Sequence, residues 1–288
     1  MADRTKVIIL RMITIKSKEE IETMAEGGKI LAKIMKELEK RVRPGISTKE
    51  LDGLAENLIL ESGGKCSFKG YEGFPNCLCT SVNEEIVHGL PSDRILKEGD
   101  IISLDLGIFY KGFHSDMATT VPVLNPSAGR TRVGKVSPEV QRLIQVTKKA
   151  LKRGIKKSRI GNTFGDIGNT IQRYVESQSY TASEAVGPAR AELGHRGFNV
   201  IRDLCGHGIG RELHEEPEVL NFGKRHTGEK IREGMVFCIE PMVSMGDYKI
   251  KKSKNGYTWQ TADGSLSVHF EHMVAAMKNG CQVLTKLE

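Results

Sequence analysis

The sequence predicts a mixed α/β (α+β) chain of two similar halves, each a pair of helices followed by strands, sharing one central sheet. Three observations carry that expectation. Apolar residues recur at helical spacing from Ile21 to Leu38 and again from about Pro138. A β-rich run follows the first helical pair through Val123. Finally, "KEGDIISLDL" (97–106) is echoed by "REGMVFCIEP" (232–241), and "VHGLP" and "GHGIG" set His88 against His207.

Taken in order, Ile21, Met24, Ile30, Leu31, Ile34, Met35 and Leu38 form the apolar stripe of the first helix. "RPGIST" breaks it, Ser47 or Thr48 is placed to cap a second helix running to about Leu60, and "SGG" ends that one. "DIISLDLGIFYKGFHSDMATTV" reads as a hairpin turning near Tyr110 to Gly112. Past Pro138 the helical pattern restarts, breaks at "RIGNT" and runs on to about Glu176, so that Gly45 and Gly161 mark matching breaks. The offset between matched positions grows from 116 to 119 to 135, which places insertions in the second half, the longest between His207 and Glu240. The small, polar stretch 180–198 reads as a surface loop, and its His195 has no partner in sequence.

Composition excludes several classes. No apolar run approaches the roughly 18 residues of a membrane span, and Arg11 interrupts the short apolar patch near the N-terminus, so neither a membrane anchor nor a secretory signal is expected. A cytoplasmic location follows. The six cysteines form no C-x-x-C pair and read as buried or pocket-lining thiols rather than as a disulfide set. The net charge is +7, with basic residues concentrated between Arg130 and Arg159. That stretch reads as a solvated helix face; its sharper alternative is a patch meeting an anionic surface such as ribosomal RNA. No aromatic residues interleave with the charges to stack single-stranded bases.

The chemistry lies in acidic residues set in apolar segments. Asp105 and Asp116 fall on opposite arms of the expected hairpin, close to facing one another, where like charges repel. Glu240 interrupts "MVFCIEPMV" and Glu271 interrupts "SVHFEHMVAAM". Any one of them could be answered by a salt bridge; all four, with few basic residues nearby, point to a cation where they meet. Four carboxylates can place one or two divalent ions, and one imidazole tunes such a site toward transition metals. Two ions close together can share a water, lower its pKa and turn it on a carbonyl. "CGHGIGRELHEEP" (205–217) offers His207 and His214, though its glycines make a helix improbable there and it is not an H-E-x-x-H zinc motif.

The set Asp105, Asp116, His207 in "CGHGIG", Glu240 in "IEPMV" and Glu271 in "FEH" resembles type I methionine aminopeptidases, with "VNEEIVHGLP", "LDLGIFYKGFHSD" and "HEEP" in that family's order. The resemblance covers nearly the whole chain from about Ile15. It implies a pita-bread fold: two pseudo-symmetric halves around a central antiparallel sheet with helices packed on one face. Residues 1–14 would be an N-terminal extension and 15–288 a single catalytic domain. The implied activity is removal of the initiator methionine from nascent polypeptides whose second residue is small. Two divalent metal ions (Co, Mn, Fe or Zn) would be bridged by Asp116 and Glu271, with Asp105 chelating one and His207 and Glu240 completing the other. Glu240 would relay a proton, His214 would hydrogen-bond the scissile amide or its oxyanion, and His88 the backbone nitrogen beyond it. Tyr71, Phe74, Cys79, Leu213 and Tyr257 would line the pocket for the methionine side chain, a flexible thioether suited to apolar and aromatic walls. Leu213 and Tyr257 stand where bulkier aromatics, often Phe and Trp, are usual, and Trp259, two residues beyond Tyr257, would reach the mouth if the loop shifts. Glu215 and Glu216 would stabilise their loop, and the glycines of "CGHGIG" would let backbone pass close to the bound peptide. The 121–138 and 180–198 stretches look longer than in compact members. The partners implied are the N-termini of nascent peptides, with ribosome contact through the basic 130–159 stretch; the chain is expected to be a monomer.

Rival expectations are an X-Pro aminopeptidase or prolidase, which shares the fold and ligand set but usually carries a separate N-terminal domain, and a non-catalytic binding module, which typically loses ligands. The helical insertion of type II aminopeptidases after the His214 segment is not seen.

Overall fold

The computed structural model describes residues 12–125, 136–178 and 197–287. Most of both expected loops, His195, the start of the basic stretch and residues 1–11 lie outside the described residues. Helix α1 (Lys18–Arg41) opens on a capping box: the Ser17 hydroxyl accepts from the Glu20 N–H while the Glu20 carboxylate accepts from the Ser17 N–H. Ser47 and Glu50 repeat the device at α2 (Thr48–Glu61). Helix α3 (Pro138–Lys157) is capped by Ser137 with proline in its first turn, and α4 (Phe164–Glu176) has its own box in Thr163 and Asp166. Gly45 and Gly161 each stand two residues before a box, with φ of 88° and 91°. Only glycine takes that left-handed geometry without strain. The matched breaks therefore share one conformation, as a duplicated unit requires.

Five strands complete the first half: β1 (Lys65–Cys66), β2 (Leu78–Val82), β3 (Glu85–Val87), β4 (Ile101–Tyr110) and β5 (Phe113–Pro122). β4 and β5 pair residue for residue across a two-residue turn in which Lys111 and Gly112 both have positive φ. Ile102, Leu104, Leu106 and Ile108 of β4 pack with Leu31, Met35 and Leu38 of α1 and Leu51, Ala55 and Ile59 of α2. Because strand side chains alternate, Ser103, Asp105 and Gly107 face away from the helices.

The second half contains β6 (Asn199–Val200), β7 (Gly206–Gly208), β8 (Glu215–Val219), β9 (Val236–Ile239), β10 (Met242–Ser244), β11 (Ile250–Lys252), β12 (Trp259–Thr261), β13 (Ser267–His269), β14 (His272–Met277) and β15 (Gly280–Val283). Five of them form a sheet in the order β15-β14-β9-β7-β8. Phe237 and Ile239 of β9 pack on Leu143, Val146, Ile167 and Ile171 of α3 and α4, leaving Val236 and Cys238 on the opposite face with Met273 and Ala275 of β14. This is the expected architecture of two halves, each with its helices on one side. At finer grain the shared sheet is a seam rather than a continuous ladder: the Glu271 N–H donates to the Ala118 carbonyl at 3.0 Å, and the Thr120 hydroxyl donates to the His269 carbonyl at 2.8 Å. Each half keeps its own helix-side core, and a third apolar cluster lies on the face away from most of the helices. No helix among the described residues is long and apolar enough to cross a membrane.

The expectation that the cysteines are all thiols is corrected at one pair. Cys66 and Cys77 form a disulfide with Cα atoms 5.2 Å apart. β1 and β2 lie one after the other along the same edge of β4, with Cys66 opposite Ile108 and Leu78 opposite Leu106. The strand register, which no cysteine spacing reveals, brings the two sulfurs together. Cys79 and Cys238 are free and buried as expected, and Cys205 and Cys281 are free and half-buried. The bridge spans 11 residues of sequence, those that carry Phe68, Tyr71 and Phe74. Cys77→Ser should therefore cost about 2–3 kcal/mol of unfolding free energy through lost loop constraint. Urea denaturation without reductant checks this: a lower midpoint is expected, and an unchanged one would show that the bridge contributes nothing.

Candidate metal centre and substrate pocket

The faces left over by helix packing converge on one cavity of about 390 Å³. Asp105 stands opposite Ala118 and Asp116 opposite Gly107, so the two carboxylates are diagonal neighbours on one face of the hairpin rather than directly opposed. Cys79 of β2 pairs with Asp105 on its other side and joins the same face. In the second half Glu240 follows β9 and Glu271 precedes β14. The β9–β14 register, with His272 opposite Ile239, carries the pair of glutamates to matching places at the sheet's end. Both thus fall just beyond strands rather than inside them.

His207 is the middle residue of β7, wedged between β8 and β9. The glycines beside it serve that wedge. A Cβ on Gly206 would strike the Cys238 carbonyl, and one on Gly208 the Glu216 carbonyl. The backbone that passes so close is the protein's own, which corrects the expectation that these glycines make room for bound peptide. The Nδ1 of His207 bonds the Gly208 carbonyl at 2.9 Å, which orients the ring and places Nε2 3.7 Å from Glu240 Oε1.

Two groups of candidate ligand atoms result, each with all its atoms within 4.8 Å of one another: Asp105, Asp116 and Glu271; and His207, Cys238 and Glu271. Glu271 belongs to both, whereas Asp116 belongs to the first alone. Asp105 Oδ1, Asp116 Oδ1 and Glu271 Oε1 are buried with no hydrogen-bond partner. No lysine or arginine among the described residues pairs with any of the four carboxylates. Burial, then mutual repulsion, pushes Asp116, Glu240 and Glu271 well above the usual carboxylate range, and burial lifts Asp105 as well. Burial and the neighbouring His214 hold His207 down at about 3, so it is a neutral donor. Burial keeps the Cys238 thiol protonated, aided by Glu271 and Asp116. Orphaned oxygens, a neutral imidazole and no organic counter-ion make a donor set that fits divalent cations.

His214 lies just before β8, its ring edge-on to that of His207 with centroids 4.2 Å apart. Its Nδ1 is bonded to the Tyr71 hydroxyl at 2.9 Å. Tyr71, Phe74, Cys79, Leu213 and Tyr257 all line the cavity, as does His88. Phe74 packs edge-on to Tyr257 at 5.6 Å, and the Tyr257 hydroxyl donates to the Gly73 carbonyl at 2.8 Å. Trp259 also reaches the cavity without any loop shift. The structure thus brings every expected site residue to one chamber.

Sequence reasoning missed Phe68, Glu72 and Lys252 on the cavity wall, together with Cys238 and the buried His269, whose Nε2 lies 3.3 Å from Glu240 Oε2. The last two had a legible signal. Cys238 stands two before Glu240, and His269 two before Glu271, so strand alternation puts each beside a candidate ligand.

Glu215 faces the other way. Its carboxylate takes Lys16 Nζ at 2.5 Å, both side chains being nearly buried, and also the Thr14 hydroxyl. It ties the "HEEP" strand to the segment before α1, which supports the loop-stabilising role expected of it.

Comparison with known proteins follows the same lines. The model of a family described as "Metallopeptidase family M24" matches residues 22–278. A methionine aminopeptidase of Clostridium perfringens is 44% identical over 96% of this chain and 100% of its own length. The crystal structure of a methionine aminopeptidase from Thermotoga maritima superposes with a TM-score of 0.85 at 39% identity, covering 96% of this chain and 100% of that one. A prolidase from Pyrococcus furiosus shares the fold at 22% identity with a TM-score of 0.69, this chain spanning 66% of it.

The buried Lys16–Glu215 pair generates a test independent of catalysis. Lys16→Met leaves a carboxylate without its cation, a change that costs about 3–5 kcal/mol when the site is buried. Burial raises the Glu215 carboxyl, but the bonds from Lys16 and Thr14 and the lysine charge outweigh it and leave its pKa below the ordinary value. A folded pKa below the unfolded one stabilises above the unfolded pKa and is lost as pH falls through the folded one. The stability gap between wild type and Lys16→Met should accordingly be full at neutral pH and close as the pH drops below about 4. Urea midpoints across that range check it; a gap that widens in acid would contradict the pairing.

Proposed function

This chain belongs to metallopeptidase family M24, and we propose that within it the chain removes the initiator methionine from nascent polypeptides, preferring a small second residue. One observation carries the reading: a cavity with aromatic side chains on its wall lies against two groups of metal-ligand atoms that share Glu271. Asp105, Asp116, His207, Glu240 and Glu271 would hold two divalent ions, cobalt, manganese, iron or zinc. When bound, such ions polarise a carbonyl and lower the pKa of a shared water.

The chain's own residues do the rest. Tyr71, Phe74, Cys79, Leu213 and Tyr257 receive the thioether side chain and exclude water from around it. Leu213, nearly fully buried, occupies less of the wall than an aromatic ring would, and Phe68 and Trp259 line the same cavity. The Tyr71 hydroxyl fixes the His214 ring through Nδ1, leaving Nε2 to meet the scissile amide or the charge that develops on its oxygen. His88, at the solvent-facing edge of the cavity, would meet the next backbone nitrogen. Glu240, set between His207 and His269, accepts a proton on its carboxylate and returns it to the leaving amine. The expectation of a monomer and ribosome contact through the 130–159 stretch belong to the same proposal. Lys148, Lys152, Arg153 and Lys156 are exposed along α3, although Lys148 lies over the Phe270 ring and Arg153 over Tyr174.

Peptide cleavage with added cobalt, manganese, iron or zinc tests the activity directly. Met-Gly-X peptides should be cleaved and X-Pro peptides left intact; the reverse preference would overturn the reading. Asp105→Ala and His207→Ala should each lower metal content, measured by elemental analysis, and reduce turnover severely, and near-normal turnover in both would contradict the ligand assignment. His214→Ala should reduce kcat by about 10²–10³ with metal content unchanged; loss of metal would show that His214 acts on the ions rather than on the substrate.

A further inference from the structure

The five proposed ligands leave a buried sulfur donor beside the chamber without a role. Cys238 stands on β9 two residues before Glu240, on the strand face opposite to Phe237 and Ile239, which fill the α3–α4 core. It is fully buried. Its Sγ, a ring nitrogen of His207 and a carboxylate oxygen of Glu271 lie within 4.8 Å of one another. Glu271 Oε1 is itself buried and has no hydrogen-bond partner. Ligand distances of about 2.3 Å from sulfur and about 2.0–2.1 Å from nitrogen or oxygen would let one ion reach all three donors with little movement.

We propose that Cys238 is a sulfur ligand of the ion held by His207 and Glu271. The inference rests on the metal-dependent reading above and deepens it, because the two positions of the pair become chemically unlike. Asp105, Asp116 and Glu271 offer oxygen alone, a donor set open to manganese and other hard ions. His207, Cys238 and Glu271 offer nitrogen, sulfur and oxygen, a set that selects thiophilic ions such as zinc or ferrous iron. On ligation the S–H bond breaks, its electron pair forms the sulfur–metal bond, and the proton leaves to solvent. No electron changes hands, and the charge of the ion drives the deprotonation of the buried thiol.

Cobalt(II) supplies the test, since a thiolate ligand adds an intense near-ultraviolet charge-transfer band that oxygen and nitrogen ligands do not. The metal-free full-length protein is titrated with one and then two equivalents of cobalt, and its visible and near-ultraviolet absorption is recorded. Wild type should develop the band. Cys238→Ala and the closer-sized Cys238→Ser should lose it while keeping the visible bands of bound cobalt, and Cys79→Ala should retain it. Both Cys238 variants should also weaken zinc binding by at least about tenfold relative to manganese binding. Bound cobalt without the band in wild type, or a band that persists in Cys238→Ala, overturns the sulfur ligand while leaving the metal site intact. Failure of wild type to bind cobalt at all overturns the metal reading itself, and with it this ligand.

Discussion

Four carboxylates, shielded from solvent, meet in a chamber where the two half-sheets join, and the rest of the structure is organised around that repulsion. An ionised carboxylate taken out of water costs several kcal/mol unless something answers it. Here the described residues supply no lysine or arginine to do so, and the nearest imidazoles, His207 and His269, both lie beside Glu240. Without a cation the group relieves itself by holding protons, which is why burial and mutual repulsion drive three of the carboxyls far above their ordinary range. A pair of divalent ions would reverse those shifts. A fold that assembles such a cost in one place has a use for it.

Assembly of the chamber depends on ordinary strand geometry applied twice. In the first half the even positions of β4 go to the helices and the odd positions deliver Asp105. In the second, Phe237 and Ile239 go to the helices while Cys238 turns to the opposite face and Glu240 lines the chamber. The halves are pinned together at the point of chemistry, since the backbone N–H of Glu271 itself donates to Ala118, two residues from Asp116. His207 reaches the same place only because Gly206 and Gly208 let β7 lie tight between β8 and β9.

Much of this was legible in the sequence. The Ser47 cap, the matched glycine breaks and the hairpin turn rest on local backbone preferences, which is why the sequence alone places them. The four buried carboxylates were legible because acidic residues in apolar segments violate burial rules unless a cation answers them, whereas His207 joined them only through the family resemblance. What stayed hidden depended on register between distant segments. The Cys66–Cys77 bridge exists because β1 and β2 run in succession along one edge of β4, and the role of the β7 glycines depends on which strands flank them. Cys238 and His269 fall within reach of the period-two rule, but a thiol or an imidazole in an apolar strand violates no burial rule and so gives no signal of its own.

The central claim is that the buried carboxylates exist to hold two ions. Crystals of the protein soaked in cobalt or manganese, with anomalous scattering measured above the metal's absorption edge, test it most directly. Two anomalous peaks flanking Glu271, one beside Asp105 and Asp116 and the other beside His207 and Glu240, are the predicted result. Fully ordered carboxylates with no peak between them, or peaks confined to other parts of the surface, would contradict it.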